Sequence, residues 1–146
     1  MEYDPQKNAA LEILKFSRNK LYFELRFMEQ ALFRLEPEEH PQISIGSNGK
    51  QLFYNTTYLI NRFLSCAEDI CCDYLHMIIH CLYQHPLLAC TQKAGYWDLA
   101  CDIEAADVIG AMNLPWAMQR MPAECFELIK LIRKKVRLMS AMHIAQ

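Results

Sequence analysis

Glycine is scarce in this chain. Four glycines among 146 residues leave little material for a Gly-rich phosphate loop or for a parallel α/β fold with many tight turns. No apolar run approaches the roughly 18 residues of a membrane span, and the N-terminus, Met1-Glu2-Tyr3-Asp4-Pro5, has no basic segment followed by an apolar one. Neither membrane insertion nor secretion is expected. Net charge is also small, at −2, so no long-range attraction to nucleic acid arises. Cys-x-x-Cys pairs are missing too. The seven cysteines, an odd number that includes adjacent Cys71 and Cys72, lie in apolar segments rather than in a disulfide framework. They read as reduced and mostly buried, which points to a cytoplasmic address.

What is present is a helical pattern in a chain of one-domain size, with 53% hydrophobic and 22% charged residues. Leu11, Leu14, Leu21, Leu25, Met28, Leu32 and Leu35 recur at intervals of three and four, predicting one long helix from Pro5, or two joined near Ser17 to Asn19. Pro37 and Pro41 bracket a segment expected to be a loop. Ile43 to Asn55 contains two short apolar stretches around Asn48-Gly49, the signature of a β-hairpin. Helical spacing returns from Thr57 to Gln84, with a break or polar interval at Ser65 to Asp69. It appears again from Trp97 to Met112, with Leu99, Ile103, Ala106 and Gly110 on one side, and from Pro122 to about Ala141. The expected fold is therefore α+β, mainly helical with one small hairpin, as a single domain over residues 1–146.

The chemistry concentrates in Tyr74-Leu75-His76-Met77-Ile78-Ile79-His80-Cys81-Leu82-Tyr83-Gln84-His85-Pro86. A four-residue interval stacks His76 above His80 on one helix face, where two imidazoles can share a zinc ion. Asp73 and Asp69 extend the same face toward the N-terminus. Burying such a polar row unpaired would cost several kcal/mol, so a metal, water or facing polar groups must satisfy it. Asp102 and His85 are the two candidates for a third ligand. Met77 occupies the position at which His-Glu-x-x-His enzymes carry their general base, and a thioether cannot take a proton. Asp73 is the only stand-in on the preceding turn. The bland alternative for each of these groups is a histidine or carboxylate kept for packing or solvation.

Three blocks carry a resemblance: Ile45-Gly46-Ser47-Asn48-Gly49-Lys50-Gln51-Leu52-Phe53-Tyr54-Asn55, then Leu75-His76-Met77-Ile78-Ile79-His80 with His85-Pro86, then Trp97-Asp98-Leu99-Ala100-Cys101-Asp102-Ile103. In this order the chain resembles the metallopeptidase-like domain that precedes von Willebrand factor A-like domains in many bacterial proteins. The likeness covers roughly residues 40–112. It implies a zincin-like core at the N-terminal end of a longer protein, with His76, His80 and either Asp102 or His85 as zinc ligands. It also implies a peptide or protein substrate and, as partners, a von Willebrand factor A-like domain or an ATPase. Met77 departs from the catalytic pattern, so a metal-binding domain with impaired or absent hydrolysis is expected. The rival is an inactive helical interaction module that docks onto such a partner.

Overall fold

The computed structural model describes residues 4–89, 95–120 and 123–135. Over these residues the chain is mostly helical, with a small three-stranded sheet.

Helix α1 (Pro5–Glu24) starts where Asp4 Oδ1 accepts the backbone N–H groups of Gln6 and Lys7 at 3.0 and 3.3 Å, with Pro5 in the first turn. The joint expected near Ser17 is absent. Ser17 is buried and its hydroxyl donates to Ile13 O at 2.9 Å, so the helix runs on to Glu24. The break comes at Leu25 instead, followed by a 3-10 turn (Arg26–Met28) and the short α2 (Glu29–Leu32).

The segment expected as a loop between Pro37 and Pro41 is in part a strand. β1 (Glu36–Glu39) pairs in parallel with β3 (Gln51–Tyr54), which pairs antiparallel with β2 (Ile45–Ser47), giving the order β1-β3-β2. Pro37 is tolerated because β1 is an edge strand, where a missing N–H need not break a ladder on both sides. β2 and β3 are the expected hairpin. Asn48 Oδ1 accepts the N–H groups of Lys50 and Gln51 at 2.9 and 2.8 Å, and Gly49 takes φ 90°, a region open to glycine at no steric cost.

Asn55 caps α3 (Thr56–Ser65), accepting from Tyr58 N at 2.9 Å. The single extended residue Cys66 separates α3 from α4 (Ala67–Leu82), inside the interval where the polar break was expected. α4 is the centre of the fold. Its Ile70, Cys71, Tyr74, Leu75, Ile78 and Ile79 are buried against Leu14 and Leu21 of α1, Leu52 and Tyr54 of β3, and Ala105 and Ile109 of α6 (Tyr96–Ala111). α6 has two further covered faces. Trp97, Ala100 and Cys101 pack on Leu88 of α5 (His85–Leu88), while Ile103 and Ala106 pack on Ile129 and Ile132 of α8 (Ala123–Lys135). Asp107 is ion-paired with Arg133 across that second contact. Leu99 departs from the inward side expected for it and is 54% exposed, because it lies one turn before Asp102 on the solvent-open side of α6. A short α7 (Pro115–Met118) links α6 to α8.

Among the described residues every cysteine is a free thiol, two of them buried and four partly buried. Cys90 and the part of the expected last helix beyond residue 135 lie outside the described residues. No described helix is long and apolar enough to cross a membrane.

Candidate metal centre

The polar face of α4 splits into two halves. In the first, Asp73 accepts the Tyr58 hydroxyl at 2.9 Å and both Nε and Nη2 of Arg62, at 2.8 and 3.0 Å. Asp69 takes Arg62 Nη1 at 3.3 Å and Arg120 Nε at 2.8 Å, and Glu68 pairs with Lys20 at 2.9 Å. The two aspartates are spoken for by fork-shaped guanidinium groups, and Glu68 by an ammonium. Burial and the bond to Asp73 push the Tyr58 hydroxyl up to about 12, so it stays a donor. Asp73, the stand-in base of the sequence reading, is thus held in an ion-pair network and is not brought into the histidine group.

In the second half, His76 Nε2 and His80 Nε2 lie 2.8 Å apart, and Asp102 Oδ1 stands 3.1 and 3.2 Å from them. α4 supplies the two rings one turn apart, and the packing of Ala105 and Ile109 against α4 brings α6 alongside with Asp102 facing them. Burial alone would raise the Asp102 carboxyl, but the two imidazoles that face it, His76 first, outweigh it and hold the group well below the ordinary carboxylate range. The Asp102 side chain remains 60% exposed while those of His76 and His80 are 28% and 16% exposed, so the group opens to solvent on one side.

These three residues could hold a metal ion. Ligands at about 2.0–2.1 Å around a tetrahedral ion sit roughly 3.3 Å from one another. The observed spacings need to widen by only a few tenths of an ångström, and the donors, two imidazole nitrogens and one carboxylate oxygen, are of the type that divalent transition metals take.

Of the two candidates for the third ligand, Asp102 joins the pair and His85 does not. α4 ends at Leu82, and Gln84 takes a left-handed conformation, φ 59°, where no glycine is available. That residue turns the chain so that His85 opens α5 and packs its ring edge-on to His80, with centroids 4.9 Å apart, and to Trp97, 5.9 Å away. His85 Nδ1 is 3.3 Å from His80 Nδ1, the ring nitrogen on the side away from Asp102, and His85 Nε2 is 2.7 Å from Glu104 Oε2. Burial pushes the His85 imidazole below its ordinary value, against the opposing effect of Glu104. Sequence reasoning missed Glu104. Its signal was a carboxylate set among Cys101, Ile103, Ala105 and Ala106, where an apolar residue would be the default.

Met77 is partly buried against the main core. A cavity of about 490 Å³ lies by Arg34, Lys50, Ile78 and Cys81 and is lined by neither histidine of the pair nor by Asp102. In comparisons with known proteins, no family model matches the chain, and no curated protein or solved structure matches it.

Proposed function

We propose that this chain is a zinc-binding domain related to zincin-type metallopeptidases, with His76 Nε2, His80 Nε2 and Asp102 as its protein ligands. The convergence of these three groups on one solvent-open point carries the reading. Two imidazoles and one carboxylate suit zinc, and the exposure of Asp102 leaves room for a fourth, exchangeable position. When bound, zinc supplies Lewis acidity toward a carbonyl or a water molecule. The chain's own part is to orient two neutral imidazoles and to offset the cation with one carboxylate. It offers no proton acceptor at the usual place, since Met77 stands there and Asp73 is tied to Arg62 and Tyr58. Peptide hydrolysis is accordingly impaired or absent.

Metal analysis of protein purified without chelator tests the reading. Stoichiometric zinc is expected in the wild type and none in the His76→Ala, His80→Ala double variant, with helical content unchanged in both. Wild-type protein that stays metal-free when zinc is added would overturn it.

A second reading is a helical interaction module that docks onto a von Willebrand factor A-like domain or an ATPase. Phe23 and Phe27, 71% and 80% exposed, and the apolar groove formed by Phe16, Phe63 and Leu64 favour it. A Met77→Glu variant separates the two. Gain of peptide hydrolysis over wild type would show an assembled hydrolytic site lacking only its base. Retained zinc without any gain would favour the docking role.

A further inference from the structure

The metal centre has a buried back wall that a ligand set of three does not require. His85 and Glu104 are 4% exposed each, their contact is 2.7 Å, and the free edge of His85 meets His80 rather than solvent. Two ring nitrogens 3.3 Å apart form a hydrogen bond only if one carries a proton and the other does not. The direction is set at the far end of the row. As a carboxylate, Glu104 only accepts, so His85 carries its proton on Nε2 and presents a bare Nδ1. His80 must then donate from Nδ1, and its Nε2, the atom facing His76 and Asp102, is left with a free lone pair.

We propose that Glu104 and His85 are positioning residues that lock His80 in the tautomer able to bind a metal through Nε2. The inference rests on the metal-binding reading above and extends it. Metal-bound histidines commonly donate their second N–H to a carboxylate or carbonyl; here an imidazole stands between histidine and carboxylate. His76 has no such backing, because among the described residues its Nδ1 has no hydrogen-bond partner, and its Nε2 proton is the one that Asp102 and His80 share. The two ligands are therefore unequal. His80 is ready for the ion, whereas His76 must move its proton to Nδ1 when the ion arrives. Trp97, edge-on to His85, and the left-handed turn at Gln84 hold the wall in place.

Long-range proton–nitrogen correlation spectra of metal-free protein, recorded above the ordinary histidine range, report each ring's tautomer directly. The expected result is His80 protonated on Nδ1 and His85 on Nε2. In His85→Phe, which removes the acceptor, His80 shifts toward Nε2–H and zinc affinity falls about 10–100-fold. His85→Asn, whose amide oxygen can take the same proton, keeps the tautomer and most of the affinity. Loss of affinity in both variants with an unchanged His80 tautomer would mean that the wall acts only by packing. Wild-type His80 protonated on Nε2 would overturn the proposal by itself, and this holds even if the phenylalanine variant does not fold. Should the wild type bind no zinc, the functional reading fails while the tautomer spectrum still decides the row.

Discussion

Asp69 and Asp73 share a helix face with His76 and His80, yet the two halves of that stripe do opposite things. The first half meets cations: Arg62 from α3 and Arg120 from beyond α7 close on the carboxylates until their oxygens are partnered. The second half meets a third acceptor, Asp102, with no Lys or Arg paired to it among the described residues. One half is a closed network that needs nothing further; the other gathers lone pairs around a point that a cation would satisfy. Spacing along α4 is common to both. What faces each half decides its chemistry.

The largest effect separating them is expected from Arg62→Ala, which strips the guanidinium from Asp69 and Asp73. Fully buried pairs lose 3–5 kcal/mol when one partner goes, and the partial exposure of Arg62 reduces this to about 2 kcal/mol. Urea unfolding measures it, and zinc content should not change. Asp73→Asn keeps the shape and removes one charge, for an expected loss of about 1 kcal/mol, again with zinc binding intact. A fall in zinc stoichiometry in this variant would join the two halves into one site.

Acid should take the halves apart in sequence. Protons compete with zinc for its ligands, so on the proposed reading metal content falls as the solution is acidified. The network persists further. Its Glu68 carboxyl is held near 2, mainly by the hydrogen bond from Lys20, against an ordinary value of 4.5. A depressed carboxyl contributes stability above its unfolded value and loses it as pH drops from 4.5 toward 2. Metal content and unfolding midpoint, followed together in a pH series, should give two separate transitions. A single transition would show that the network depends on the ion.

The stripe itself was legible in the sequence, because a four-residue interval fixes a shared face whatever the context. So were the hairpin, announced by Asn48-Gly49, and the choice of Asp102 and His85 as the groups to watch. What faces the stripe was not. Arg62 and Arg120 carry no local sign of where their long side chains will reach, and Arg120 meets Asp69 across 51 residues of sequence. β1 was hidden for another reason: all four of its residues are exposed, so no alternation of apolar and polar residues marks it, and Pro37 argues against a strand unless its edge position is known. The break at Leu25 fell within an unbroken apolar rhythm. Ser17, the more obvious breaker, is absorbed by a bond to its own helix.

The core closes over α1, α4, β3 and α6 without drawing on His76, His80 or Asp102, and Asp102 stands at its margin, 60% open to water. On the proposed reading, folding and zinc loading are uncoupled. A chelator should empty this domain without unravelling it, and its occupancy should follow the supply of ion around it, as a berth fills and clears while the quay stays where it is.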